Sequence, residues 1–179
     1  MARTLFISET YIKNNSILDD NVDVKLLNSL IWEAQREHIK PVLGTDLWTT
    51  LQALSPPYTS NNAILINDKI SPALLNWVLM DFCVSGSFKF RNKGIEKKSS
   101  DNAQPVDLSE VKFLMDKYRN RAEMWTQDII DYLDADNGTL FPSYLTNSDV
   151  DDLHPRTSAY STGIYLGNGE NKNCWRNLD

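Results

Sequence analysis

The side chains that most often carry out catalysis are scarce in this sequence. It contains two histidines, His38 and His154, and two cysteines, Cys83 and Cys174. His38 follows Glu37 on the apolar face of a predicted helix, without the second histidine that a zinc-protease helix requires. Because a metal site needs three or four gathered ligands, His38 is interpreted as a packed histidine.

His154 lies in the one place where carboxylates and an imidazole cluster, directly after Asp151-Asp152-Leu153. A weak metal site here would make the chain a metal-dependent hydrolase. The preferred interpretation is a solvated acidic turn, since His154 is followed by Pro155 and the stretch is polar.

Two further patterns resemble ligand sites without meeting their requirements. The run from Asp134 to Gly138 lacks the spacing and the closing glutamate of a calcium loop. Gly163, Gly167 and Gly169 lack the strand–turn–helix context of a dinucleotide-binding fingerprint. The sequence therefore predicts no active site, no cofactor and no bound metal, and we expect that the protein is not an enzyme.

The most marked charge feature is a cluster of basic residues in the middle of the chain. Its members are Lys89, Arg91, Lys93, Lys97 and Lys98. Phe88 and Phe90 supply neighbouring aromatic rings, but Glu96 and Asp101 interrupt the positive charge. The cluster is interpreted either as a solvated loop or as a contact for DNA or an acidic partner. A net charge of −6 and a pI near 4.9 argue against a dedicated nucleic-acid binder.

Apolar side chains near the C-terminus stand outside any helical pattern. They are Tyr160, Ile164, Tyr165 and Trp175, and they lie on an otherwise polar stretch. Such residues on an extended segment favour docking into a groove of another subunit. A tail that folds back on its own domain would show the same pattern.

Five helices are predicted from hydrophobic periodicity and from capping residues. Pro41 is expected to end the second helix and Pro72, after a capping Ser71, to begin the fourth. Asp107 and Glu110 form a capping box before the fifth. The predicted spans are Glu9–Lys13, Val22–Lys40, Asp46–Leu54 with Thr45 as its cap, Pro72–Phe90 and Leu108–Leu133.

These elements predict a mainly α fold, a small helical bundle of about four helices with a long C-terminal helix. Its heptad seam favours packing against the apolar helix before it, with an inter-subunit seam as the alternative. The helical domain is expected to span residues 1–134, with a polar linker over Arg91–Val106 inside it. Residues 135–179 are expected to form an extended tail, in which only Ser158–Leu166 has the pattern of a short β segment.

No targeting or membrane segment is expected. The N-terminal residues lack a long apolar region and a small-residue cleavage site. The most apolar stretch, Ala73–Val84, is too short for a bilayer and contains Asn76 and Asp81. With Cys83 in an apolar run, a reducing compartment is expected.

The middle of the chain resembles the head–tail connector proteins of tailed bacteriophages. The resemblance covers roughly Leu5 to Leu133 and is closest to connector or neck-ring proteins of crAss-like and related Bacteroides phages. It is carried by Ala34-Gln35, Ile39, Pro41, Leu43-Gly44, Leu47 and Leu51, then by Asn92-Lys93-Gly94-Ile95, Lys98-Ser99-Ser100 and Gln104-Pro105 ahead of the capped long helix.

The resemblance implies a virion structural protein in the head–tail neck, assembled in the cytoplasm of the bacterial host. Such proteins form homo-oligomeric rings, by resemblance dodecameric, that contact the portal protein and other neck or tail proteins. Packaged DNA passes through the channel that the ring lines. The alternative is a small helical regulatory or adaptor domain that binds a host protein or nucleic acid through the basic cluster.

Overall fold

A computed structural model describes residues 4–54, 56–58, 60–91, 94–97, 107–146 and 153–159. The fold is mainly helical, as predicted, and the long helix near its C-terminal end is present. In chain order the elements are α1 (Glu9–Asn15), α2 (Val24–Ala34), a π-helical turn (Gln35–Ile39), α3 (Lys40–Gln52), α4 (Ser60–Ala63), a second π-helical segment (Ile64–Ile70), α5 (Ser71–Ser87), strands β1 (Phe88–Arg91) and β2 (Gly94–Lys97), α6 (Leu108–Asp136) and a 3₁₀ turn (Pro142–Tyr144).

The starts of α1 and α6, which depend on local capping, agree with the prediction. Ser8 accepts a hydrogen bond from the Tyr11 N–H (3.1 Å) at the start of α1. At the start of α6, Asp107 caps the helix and its own N–H donates to Glu110 Oε2 (3.2 Å), which completes the capping box. These bonds satisfy N–H groups that the first helical turn leaves without partners.

Pro41 does not end a helix as the sequence predicted, because the chain continues helically from a π-helical stretch into α3. Pro72 is the second residue of α5, as predicted, but Ser71 does not cap that helix: a second π-helical stretch precedes it, and the Ser71 hydroxyl donates to the Ile66 carbonyl (2.7 Å). In these stretches the Lys40 N–H donates to the Gln35 carbonyl and the Ser71 N–H to the Ile66 carbonyl, five residues back. A proline disrupts a helix through the carbonyl four residues before it. The wider turn shifts the hydrogen-bond register, so the chain can continue helically.

The break in the helical chain lies at Gly44, between the two predicted helices Val22–Lys40 and Asp46–Leu54. Gly44 has φ 76° and ψ 171° inside α3, a combination that is essentially restricted to glycine. Thr45 follows the break, as expected, but its hydroxyl accepts a hydrogen bond from Leu153, far along the chain, at 2.8 Å.

The core is built around α5, which is apolar nearly all round. It packs mainly against α6, and also against α2. Val111, Ala122 and Ile129 of the heptad seam are buried in this contact, so the intramolecular interpretation of the seam is confirmed. Buried Gln35 ties the N-terminal segment to the core, since its Oε1 accepts from the Phe6 N–H (3.0 Å) and its Nε2 donates to the Thr4 carbonyl (3.0 Å).

A short antiparallel hairpin follows α5, with Lys89 opposite Glu96 and Phe90 opposite Ile95. The sequence reasoning missed this hairpin, since it continued α5 to Phe90 and assigned a linker from Arg91. The assignment of a linker is therefore wrong for the hairpin residues, where pairing with a neighbouring strand satisfies the backbone.

The beginning of the predicted tail belongs to the folded part of the chain. α6 continues to Asp136, and Phe141 and Tyr144 are buried in the same core cluster as the helices. Aromatic burial of this kind is a large contribution to stability. Residues 153–159 are also held against the domain.

Candidate functional site

Residues 153–159, here called the strap, complete the hydrogen bonding of the broken helix α3. In a regular helix the Thr45 N–H would donate to the Pro41 carbonyl, four residues back. The turn at Gly44 separates these two groups. The strap provides a partner for each: the Thr45 N–H donates to the Leu153 carbonyl (3.0 Å), and the Arg156 N–H donates to the Pro41 carbonyl (2.9 Å).

Two further contacts fix the ends of the strap. The Leu153 N–H donates to Thr45 Oγ1 (2.8 Å), and the Ala159 N–H donates to Gln127 Oε1 on α6 (3.1 Å). The strap side chains are mostly exposed, so main-chain hydrogen bonds, rather than burial, hold the strap in place. The main chain at Leu153 and Arg156 thus supplies the hydrogen-bond partners that the break at Gly44 removes from α3.

The strap forms one wall of a cleft of about 580 Å³ between the first π-helical turn, α5 and α6. At its base the His38 ring lies flat on the Trp77 ring, with centroids 3.6 Å apart and planes 4° apart. The Trp77 indole N–H donates to Thr126 Oγ1 (3.0 Å), whose hydroxyl donates to the Ala122 carbonyl (2.7 Å). His38 is therefore packed, as the sequence predicted.

The charged walls of the cleft shift two pKa values in opposite directions. Burial, together with the positive charges of Arg156 and Arg119, lowers the pKa of His38 from 6.5 to about 4. Burial, together with the negative charges of Glu37 and Glu33, raises the pKa of Asp81 from 3.8 to about 6. Both shifts favour the neutral form, as expected for groups removed from water.

The His38 ring is poorly suited to acid–base catalysis near neutral pH. An imidazole with a pKa of about 4 is uncharged there and is a weak base. The cleft can instead place a cationic group beside Asp81 and Glu37, or an anionic group beside Arg119 and Arg156. We interpret the cleft as the place where the strap, the kinked helix α3 and the pair of helices α5 and α6 meet.

A second surface, the apolar groove, lies on the other side of α5. It is a hollow of about 300 Å³ whose walls include Ile17, Leu79, Phe82, Cys83, Leu114 and Tyr118. Ile17 is 87% exposed, and beside the groove Phe113 is 70% exposed on α6. A second hollow, of about 350 Å³, continues it past Trp125 and shares Ile17, Leu79 and Tyr118 with it.

The cleft and the apolar groove are separated by the pair of helices α5 and α6. Among the residues of α5, Trp77 and Asp81 line the cleft, whereas Leu79 and Cys83 line the groove. At 100° per residue these sets lie roughly half a turn apart around the helix. The strap therefore lies on one side of this helix pair, and the groove opens on the other.

Most of the candidate site residues named from the sequence lie outside the part of the chain that the structure describes. Tyr160, Ile164, Tyr165 and Trp175 lie outside the described residues, as do Lys93 and Lys98. The backbone of Lys89 and Arg91 lies in β1 and that of Lys97 in β2, so these three share one hairpin.

The metal alternative falls partly outside the described chain as well. His154 is exposed in the strap, whereas Asp151 and Asp152 lie outside the described residues. Within the described ranges, His, Cys, Asp and Glu side chains form no group of three that could hold a metal ion. Among the helices the structure describes, none is long and apolar enough to cross a membrane.

Sequence reasoning missed both the strap and the apolar groove. Leu153 and Thr45 are 108 residues apart, and no local pattern indicates their pairing. The groove could have been suspected from Ile17, an apolar residue beside the polar run Asn14-Asn15-Ser16.

The fold and its surfaces define a small helical protein that presents an exposed apolar groove and a strapped, kinked helix. Residues 39–152 match DUF6712, a family of unknown function, over more than half of the chain. The chain belongs to this family. No curated protein and no solved structure matches it.

Proposed function

We propose that this protein is a virion structural protein, a subunit of the head–tail connector ring that links portal and tail in a tailed phage. The observation that carries the proposal is the exposed apolar groove along α5 and α6. Exposed apolar patches of this kind typically mark protein–protein contacts. A protein that works by assembly needs such surfaces.

The identity of the assembly comes from the resemblance to phage connectors, and the fold is compatible with it. Three of the residues that carry that resemblance have structural roles here: Gln35, Pro41 and Gly44. Gln35 anchors the N-terminal segment, and the Pro41–Gly44 corner forms the kink that the strap completes. A net charge of −6 would also suit the wall of a channel through which DNA must slide without sticking.

The test is the copy number of this protein in purified particles of the phage that encodes it. Quantitative mass spectrometry would compare its peptides with those of the portal protein. One copy per portal subunit, or a small whole-number multiple, is the expected result. Absence from the particles would contradict the proposal.

The second candidate is a helical adaptor that binds nucleic acid through the basic cluster. It is favoured by the hairpin, which brings Lys89, Arg91 and Lys97 onto two paired strands. Such binding would weaken steeply as salt rises, because phosphate contacts release counterions. Replacing Lys89 and Arg91 by alanine should then reduce DNA binding and its salt dependence together, whereas a connector would keep its copy number in particles.

A further inference from the structure

We propose that the apolar groove binds residues 160–179 of a neighbouring copy of this chain. This inference rests on the proposed function, since it assigns the contact that joins one ring subunit to the next. The groove is the acceptor, and the segment that follows the strap is the occupant.

The first argument is the position at which the described chain ends. Ala159 lines the cleft and is hydrogen-bonded to Gln127 on α6. The groove lies on the opposite side of α5. A ring built head to tail joins two different surfaces on opposite sides of each subunit. The segment starts from one of these sides and the groove lies on the other.

The second argument is reach. Twenty residues follow Ala159, and fully extended they span up to ~66 Å. A domain of this length is roughly 40 Å wide, from the usual scaling of the radius of gyration with chain length. The segment is therefore long enough to cross to a neighbouring subunit and occupy its groove.

The third argument is chemical complementarity. The segment carries Tyr160, Ile164, Tyr165, Leu166 and Trp175, which are the side chains that an apolar groove accepts. Its charged side chains are Glu170, Lys172, Arg176 and Asp179, two of each sign. Placing the segment against an apolar surface therefore does not concentrate charge of one sign.

The natural cysteines provide a direct test in the unmodified full-length chain. Cys83 lines the groove and Cys174 lies beside Trp175 in the segment. Protein labelled with ¹⁵N would be mixed with an equal amount of unlabelled protein in urea and refolded so that the chains exchange fully. The mixture would then be treated with a short bismaleimide cross-linker, digested and analysed by mass spectrometry. Because burial raises the pKa of the Cys83 thiol, the reaction should be run at mildly alkaline pH.

The expected product is a Cys83–Cys174 cross-link with one labelled and one unlabelled partner, approaching half of all such cross-links when the chains exchange fully. Cross-links that pair only partners of the same label would show that the segment docks on its own domain, and would overturn the proposal. Cross-links that join Cys83 to Cys83 without Cys174 would indicate a groove-to-groove dimer and would also overturn it.

A second measurement does not depend on thiol reactivity. A fluorescent peptide of residues 160–179 would be titrated with the full-length Trp175→Ala chain, whose own segment competes less. Saturable binding is expected, and Leu114→Asp in the groove should weaken it at least tenfold. Ile64→Asp is the matched control, since Ile64 is 44% exposed, compared with 38% for Leu114, and does not line the groove. Absent binding, or equal effects of the two variants, would refute the proposal.

The outcomes separate this inference from the function on which it rests. A fixed copy number in particles with no mixed cross-link and no peptide binding would leave the connector function standing and remove the docking contact. Mixed cross-links from a protein that is absent from particles would support the docking contact and contradict the connector function.

Discussion

The break in α3 gives the most direct test of the structural reasoning. Gly44 has φ 76° and ψ 171°, and residues other than glycine pay ~1–3 kcal/mol to adopt such backbone angles. Gly44→Ala should therefore either strain the kink by this amount or straighten the helix. A straight helix would re-form the bond from Thr45 to Pro41 and displace the strap.

Both routes lower the free energy of unfolding. A loss of ~2 kcal/mol corresponds to a decrease of about 4–8 °C in the melting temperature for a domain of this size. The assay is urea and thermal unfolding, followed by circular dichroism at one protein concentration. Hydrogen exchange would report the strap separately, and faster exchange is expected at the Arg156 amide, which donates to the Pro41 carbonyl.

Gly86→Ala is the control, because Gly86 lies within α5 and its φ is outside the left-handed region. Its added Cβ would meet only the end of the Phe82 ring, at 3.0 Å, and a change of less than about 1 kcal/mol is expected there. Equal losses for the two variants, or unchanged exchange at the Arg156 amide, would show that the account of the kink is wrong.

Two further predictions concern the cleft. Thr126→Val removes the acceptor of the buried Trp77 N–H and should cost ~1–3 kcal/mol in urea unfolding, whereas Thr126→Ser keeps the hydroxyl and should cost clearly less; equal costs would contradict a role for the hydrogen bond. The pKa of Asp81 is raised from 3.8 to about 6, so the folded state holds its proton more tightly and this carboxyl makes stability fall as pH rises through that range. The pKa of His38 is lowered from 6.5 to about 4, so the unfolded state binds its proton more tightly and this ring makes stability rise with pH between those values. Between pH 4 and 6, the free energy of unfolding of Asp81→Asn should therefore rise more with pH than that of the unchanged chain. That of His38→Phe, which keeps a ring on Trp77, should rise less. Equal slopes in all three proteins would refute the assignment.

The π-helical stretch before Pro41 explains why this proline does not end a helix, although the sequence predicted that it would. A proline following an apolar helical pattern predicts a boundary, because in an α-helix its ring meets the carbonyl four residues earlier. The position of that carbonyl depends on whether the turn before the proline is α-helical or π-helical. Pro41 and Pro72 both sit just after such a wide turn. π-turns inside helices are often found at functional positions, and the first of these carries His38 into the cleft.

The sequence by itself determined the features that depend on neighbours along the chain. The helical class, the capping box of Asp107 and Glu110 and the apolar character of α5 follow from side chains a few residues apart. Such features persist in any tertiary setting, because each hydrogen bond or apolar stripe is formed within one element.

Only the tertiary structure decided how the broken helix is completed and where a partner can bind. The Pro41 carbonyl and the Thr45 N–H find their partners in Arg156 and Leu153, and the apolar groove combines Ile17 with residues of α5 and α6. These arrangements join groups that are tens of residues or more apart. Sequence periodicity describes one element at a time, so it contains no information about which distant backbone group or side chain satisfies another.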